Sequence, residues 1–384
     1  MPLTPNSLPI SLYIHIPWCI KKCPYCDFNS HPLTKGLPES EYIEALLIDL
    51  KASLPLLGGR KAHSIFFGGG TPSLFSGEAL DLLLTDIDRV WPLPKGVEIT
   101  LEANPGASDQ NRFKQYRDIG INRLSIGVQS FKSESLLQIG RIHSSTDAIA
   151  AIHAAKEVGY TDFNLDLMFG LPGQSVEDAL QDLETAFSFM PSHLSWYQLT
   201  IEPNTYFDRH PPQLPHEDEQ WSIFQAGLQK LAAVGFQQYE VSAFYRTKPA
   251  IHNLNYWEFG DYLGIGAGAH SKITDLDGIV HRMQRVRSPA VYLDPARDFI
   301  AKQYIVSRDD LVFEYMLNAL RLTQGIKRDT FEKRTGLPLE TIEPLLIQAQ
   351  AKGWLRPTTD VIQTTALGHQ FLNDLTLLFI PEND

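Results

Sequence analysis

Apolar positions along this chain follow two periods that take turns. Short runs rich in apolar, β-branched and aromatic side chains occur at 11–16, 64–67, 97–101, 123–128, 163–169 and 194–201, a length that suits buried strands better than helices. Between them the spacing becomes that of a helix face, with Tyr42, Ala45, Leu46 and Leu50 on one and Leu80, Leu83, Leu84 and Ile87 on another. Six β-then-α units in succession predict an α/β fold with parallel strands joined by right-handed crossovers. Such a series curls into a complete or incomplete barrel and gathers the loops that follow the strands on one rim.

The unusual residues fall on that rim. After the first strand comes Cys19-Ile-Lys-Lys-Cys23-Pro-Tyr-Cys26, which holds all three cysteines of the chain. The second strand leads into Gly68-Gly69-Gly70-Thr71-Pro72, where missing side chains let the backbone approach a ligand. Glu102 ends the third strand, Gly127-Val128-Gln129-Ser130-Phe131 the fourth with Gly140-Arg141 beyond it, and Asp166 lies in the fifth ahead of Gly170-Leu171-Pro172-Gly173. One such element means little; one per strand end points to a ligand site. A structural ion pair between Glu102 and Arg141 is the plain alternative for those two residues.

Composition narrows the chemistry. An odd number of cysteines in 384 residues, 43% of them hydrophobic, argues against a disulfide scaffold. Thiolates are the preferred ligands of iron-sulfur clusters, and a four-iron cluster held by three of them keeps one iron open. Zinc would need a fourth ligand, with His15 and His31 as the nearby candidates. With 33 basic against 45 acidic residues the formal charge is -12, which disfavours nucleic acid and anionic lipid as partners. The first residues, Met1-Pro2-Leu3-Thr4-Pro5-Asn6, lack the pattern of a signal peptide, and no apolar run is long enough to span a bilayer, so a reducing cytoplasmic setting is expected.

The cysteine motif after a first strand, followed by Gly-Gly-Gly-Thr-Pro, resembles the radical S-adenosylmethionine superfamily. Tyr13-Ile14-His15-Ile16-Pro17, Gly127 to Phe131 and Asp166 to Pro172 narrow the resemblance to the relatives of oxygen-independent coproporphyrinogen III oxidase, and within them to the HemW (heme chaperone) branch. It extends from about residue 11 to the end of the chain. The resemblance implies an incomplete (β/α)6 radical-SAM barrel over residues 1–234, barrel-closing strands and a candidate heme-binding region over 235–300, and a mainly helical, winged-helix-like domain over 301–384. It also implies that Cys19, Cys23 and Cys26 hold a 4Fe-4S cluster whose open iron takes S-adenosylmethionine. Tyr25 then matches the aromatic residue beside the adenine, Gly70 and Thr71 the loop along the methionine moiety, and Tyr13 a residue near the sulfonium. Glu102, Gln129, Arg141 and Asp166 match polar positions for the charged end and the ribose. Phe28 stands where the oxidase has a further cysteine.

Two stretches remain. His252-Asn253-Leu254-Asn255-Tyr256-Trp257 offers an exposed imidazole beside two aromatic rings, suited to the iron and the flat face of a porphyrin; in the HemW branch this pattern is associated with heme, with His252 as axial ligand. Gly264 to Ser271 lacks the arrangement of a dinucleotide fingerprint and reads as a close-packed turn lining the cleft, while Gly235 to Val241 reads as a strand closing the substrate side. From Arg308 helical spacing places Phe313, Leu317 and Leu320 on one face and Ile342, Leu345, Leu346 and Ala349 on another, with a final helix from Thr365 to Phe379. This segment is not basic, which favours a covering or partner-contact role over DNA binding. Two functions are in contention: a carrier that binds heme and passes it to an acceptor hemoprotein, and an oxidase that decarboxylates coproporphyrinogen III through a 5′-deoxyadenosyl radical. Phe28 favours the carrier.

Overall fold

Strand β1 (Ile10–Ile16) is buried along almost its whole length because it has neighbours on both edges and cover on both faces. In the computed structural model, which describes residues 8–34, 36–107 and 110–381, it begins six parallel strands in simple sequence order. They continue with β2 (Ala62–Gly69), β3 (Glu98–Ala103), β4 (Arg123–Gln129), β5 (Phe163–Phe169) and β6 (His193–Gln198). The predicted strands are therefore all present, the sixth ending three residues earlier than its apolar run.

Crossover helices cover one face. They are α1 (Glu39–Ser53), α2 (Gly77–Val90), α3 (Gln110–Asp118), α4 (Ser145–Glu157) and α5 (Val176–Ser188), followed after β6 by α6 (Glu217–Ala233). Tyr42, Leu46 and Leu50 of α1 and Leu80, Leu83 and Ile87 of α2 are fully buried, as their spacing requires. Several helices start sharply. Ser144 with Asp147 and Ser175 with Asp178 form reciprocal capping boxes at α4 and α5, so each rim loop ends where the next helix begins.

The segment from 235 to 305 does not form a single closing unit. At one end of the sheet β7 (Gln237–Glu240) pairs antiparallel with β8 (Ala243–Tyr245), which in turn pairs antiparallel with β6. At the other end β9 (Asp261–Ile265) lies parallel to β1, followed by an antiparallel meander of β10 (His270–Thr274), β11 (Val280–Arg285) and β12 (Ile300–Ile305). The result is a 12-stranded sheet in the order β12-β11-β10-β9-β1-β2-β3-β4-β5-β6-β8-β7. The glycine-rich stretch read as a turn thus begins as strand β9. Its glycines allow close approach: a Cβ at Gly264 would lie 2.1 Å from the His270 carbonyl oxygen.

Between the two extensions runs α7 (Ile251–Trp257), followed later by the C-terminal helices α8 (Arg308–Ala319), α9 (Arg328–Thr335), α10 (Glu343–Ala351), α11 (Ala366–Gln370) and α12 (Leu372–Leu377). A two-residue wing, β13 (Ile326–Lys327) with β14 (Val361–Ile362), completes this part. Here the sequence reading needs two corrections. Of the predicted face Leu320 is buried and Phe313 packs on the core, but Leu317 is 45% exposed, because α8 packs against α7 and α12 through Leu311, Val312, Tyr315, Met316 and Ala319. The final helix is broken at Phe371, whose backbone leaves helical geometry (ψ 38°). Among the described residues no helix is long and apolar enough to cross a membrane.

Candidate functional site

The cysteine loop leaves β1 at Pro17 and returns beside it, Trp18 and Cys19 pairing with His31 and Pro32. All three thiols are unpaired and partly exposed. Each faces a donor or hydroxyl: Thr71 Oγ1 lies 3.5 Å from Cys19 Sγ, Arg141 Nη1 3.5 Å from Cys23 Sγ, and Ser30 Oγ 3.8 Å from Cys26 Sγ. Burial pushes the Cys19 and Cys26 thiols up, so they stay protonated until something binds the sulfur. Among the described residues no three His, Cys, Asp or Glu side chains converge as they would around one ion. A multi-iron cluster distributes its thiolates over several metals and does not require that convergence.

His15 is not available to complete a zinc set. Its Nε2 lies 2.9 Å from the Asn29 carbonyl oxygen and therefore donates, and burial lowers its pKa to about 4 and keeps it neutral. Its Nδ1 then accepts from the Tyr13 hydroxyl at 3.0 Å. This also fixes Tyr13, whose ring stacks on Phe66 at 6.1 Å.

The glycine string is tight against the loop. Gly69 sits at φ 115°, and a Cβ on it would meet the His15 ring at 2.6 Å; one on Gly70 would meet the Trp18 carbonyl oxygen at 2.5 Å. Alanine fits neither position without moving β1 or its exit. Thr71 is buried behind them.

Deeper on the rim lie the polar positions. Glu102 Oε2 accepts from the Gly69 N–H at 3.1 Å. Its carboxyl borders a cavity yet is enclosed by protein, and burial, reinforced by the Asp166 charge, pushes its pKa up to about 8. Asp166 is held by Ser125 Oγ (2.9 Å) and Asn164 Nδ2 (2.7 Å), and burial raises it too. Gln129 has a left-handed backbone, φ 67°, unusual for a residue with a side chain; it accepts from the Tyr197 hydroxyl at 2.7 Å. Arg141 donates through Nη2 to the Gly127 carbonyl at 2.9 Å, and its buried Nε has no partner. Glu102 and Arg141 do not pair with each other, which removes the ion-pair alternative. Tyr25 packs against Phe207, with ring centroids 6.5 Å apart.

Beside this rim opens a cavity of about 710 Å³. Tyr13, Phe28, Phe66, Glu102, His252, Tyr256 and Trp257 all line it, so it joins the rim to the histidine-aromatic motif of α7. The expectation that His252 is exposed is corrected here: only 7% of it is accessible, because its ring lies on Phe66 at 4.1 Å and beside Tyr256 at 6.1 Å. Burial keeps the imidazole neutral, and Nδ1 has no hydrogen-bond partner. Phe28 is 58% exposed at the cavity mouth.

Comparison with known proteins adds the lineage. Residues 13–186 match the profile of the radical SAM superfamily, and 306–371 that of the HemN C-terminal domain. A protein named heme chaperone HemW from Escherichia coli (strain K12) is 48% identical over 377 residues, covering 97% of this chain and 99% of the relative. The chain belongs to the HemW family. A HemW from Bacillus subtilis (strain 168) is 33% identical over 384 residues, again covering 97% and 99%. The solved coproporphyrinogen III oxidase (HemN) of E. coli, a radical SAM enzyme, superposes with a TM-score of 0.82 at 24% identity, over 97% of this chain and 90% of that one, which establishes the shared fold. Membership in the superfamily implies S-adenosylmethionine and an iron-sulfur cluster for HemW proteins.

The structure groups the thiols with Tyr25, Gln129, Arg141 and Asp166 at the strand-end rim and places the cavity with Tyr13, Phe28 and Glu102 beside them, while His252 reaches that cavity from the other side, its helix held by Glu98 at the start of β3. Sequence reasoning missed several supports. Ser125, Asn164 and Tyr197 orient Asp166 and Gln129, and period-two strand positions facing the barrel interior were the available signal. Lys272, Arg282 and Arg287, cationic members of the cavity wall, carried no local signal at all.

Proposed function

We propose that this chain is a heme carrier: it binds heme in the 710 Å³ cavity, uses the neighbouring rim for a 4Fe-4S cluster and S-adenosylmethionine, and passes heme to an acceptor hemoprotein. The observation that carries the reading is a neutral imidazole, His252, whose Nδ1 has no hydrogen-bond partner, set among aromatic rings in the wall of that cavity. A neutral imidazole nitrogen is an iron ligand, and Tyr13, Phe66, Tyr256 and Trp257 supply flat apolar surface.

The rim residues fit the two other groups. Cys19, Cys23 and Cys26 would hold the cluster, with Thr71, Arg141 and Ser30 stabilising sulfur charge. When bound, the cluster supplies single-electron chemistry to S-adenosylmethionine. Glu102 and Asp166 suit an ammonium and ribose hydroxyls, Arg141 suits a carboxylate, and Gln129 adds a neutral amide. Gly70 and Thr71 would border the methionine moiety, Tyr25 the adenine and Tyr13 the sulfonium. The unpartnered Nε of Arg141 supports this assignment, since a buried guanidinium edge without a partner suits an incoming acceptor.

The carrier reading is tested by titrating ferric heme into anaerobically reconstituted protein and into His252→Ala, followed by absorbance. We expect the variant to lose the spectrum of imidazole-bound iron and at least tenfold in affinity; identical spectra and affinity in the two proteins would remove His252 and with it the reading. Because the ring packs on Phe66, His252→Gln serves as a variant that keeps more of the volume. Incubation with coproporphyrinogen III and a reductant provides the contrast: formation of protoporphyrinogen IX would make the chain an oxidase.

A further inference from the structure

The cavity is not uniformly apolar. Three cations line it, and two of them already have carboxylate partners. Lys272 is paired at 2.9 Å with Asp261, which it shares with Arg60 at 2.6 Å, and also donates to the Phe259 carbonyl at 3.0 Å. Arg282 is paired with Glu314 at 2.7 Å and donates to the Tyr262 hydroxyl at 2.7 Å. Arg287 makes no ion pair among the described residues; its only side-chain contact of note is a long one, Nε to Asn29 Oδ1 at 3.4 Å. Asp27 also lines this cavity, and no ion pair joins it to Arg287.

Its position follows from the sheet. Lys272 and Arg282 face each other across β10 and β11, and His270 and Gln284 form the rung two residues further along, roughly 6.8 Å away. Arg287 lies beyond that second rung, next to Phe28 and Asn29 of the cysteine loop. The partnered cations therefore stand at the end shared with Trp257, Phe259 and Tyr262, whereas Asp27, His270, Gln284 and Arg287 make the opposite end polar. The side chain of Asn29 donates to the carbonyls of Ala267 and Arg287, both at 2.9 Å, and this bond fixes the backbone that carries the free guanidinium.

We propose that Arg287 receives the propionate carboxylates of the bound heme and so sets its orientation, with the acidic edge toward the cysteine loop and the apolar edge toward Trp257. The proposal rests on the carrier reading and names which end of the ligand goes where. A guanidinium offers a carboxylate two parallel N–H bonds, and at a half-enclosed mouth that pairing is stronger than in open water.

The test compares ferric heme with its dimethyl ester, which keeps the iron and the macrocycle and removes the negative charge, on full-length reconstituted wild type, Arg287→Gln and Arg287→Lys. We expect wild type to bind heme roughly tenfold more tightly than the ester. Arg287→Gln should bind heme as weakly as the ester while its affinity for the ester stays at the wild-type value, and Arg287→Lys should recover part of the difference. Equal losses for both ligands, or no loss for either, overturn the assignment. So does a wild type that does not distinguish heme from the ester. A wild type that binds neither overturns the carrier reading itself, which separates that failure from the failure of Arg287. Asn29 bonds to the main chain at residue 287, so the substitutions leave the loop anchored.

Discussion

A glutamate with a pKa pushed up to about 8 is an acid rather than an anion at neutral pH, and Glu102 owes this first to burial and then to Asp166. The sign of the consequence is fixed by linkage. An unfolded glutamate titrates near 4.5, so between pH 4.5 and about 8 the folded protein binds the proton that the unfolded chain has released, and stability falls as pH rises through that window. Glu102→Gln, which cannot ionise, removes this dependence. Urea unfolding from pH 5 to 8.5 should show wild type losing stability more steeply than the variant; parallel curves would mean that Glu102 is ionised throughout. A ligand ammonium reverses the preference by stabilising the carboxylate, so binding of S-adenosylmethionine near pH 7 should release a proton, detectable by calorimetry in buffers of different ionisation enthalpy. That Glu102 belongs to the site was legible in the sequence, since it ends a strand on the rim. Its protonation was not, because the second carboxyl lies two strands away, on β5.

At the scale of an element, the short helix α7 decides where His252 stands. Seven residues make too few internal hydrogen bonds to hold a helix in isolation. Its first turn is anchored instead by Glu98 of β3, whose carboxylate accepts the N–H groups of Ile251 at 3.2 Å and His252 at 3.1 Å. A carboxylate at a helix N-terminus satisfies orphan donors and meets the favourable end of the dipole. Glu98→Ala leaves both N–H groups buried without partners, so a loss of about 1–3 kcal/mol is expected. The same variant should weaken heme binding, while Glu98→Gln, still an acceptor, recovers most of the stability; denaturant titration and heme titration of both variants check this. The motif His252 to Trp257 was visible in the sequence. Its burial was not, because the residue that pins it lies 154 positions away, and an isolated histidine pattern carries no information about such a partner.

Across the whole molecule, two hydrophobic cores meet at this helix. The larger one lies between the parallel strands and their crossovers, and the smaller one is built by the C-terminal helices together with Phe259 and Val280, with Leu254 and Trp257 packed against it. Within the smaller core Tyr315 of α8 ties the C-terminal helices to Phe259, edge-on to Phe259 at 5.6 Å and to Phe331 at 5.1 Å, and Lys272 from the cavity wall lies over the Phe259 ring at 4.1 Å. The alternation of strand and helix made the first core legible, since six parallel units bury whole runs. The second was legible only in part: Leu320, Ile342, Leu346 and Ala349 are buried as their spacing suggests, but Tyr315 and Met316 take the place expected of Leu317, because α8 packs against α7. If the cavity wall borrows its rigidity from the C-terminal part, Tyr315→Ala should do more than cost the about 3–5 kcal/mol of a large buried side chain. Amide exchange over residues 251–260 should accelerate while that of β3 and β4 stays protected, because local opening follows the contacts removed. Unchanged exchange over 251–260 would mean that the two cores are mechanically independent and that the C-terminal helices only cover the site.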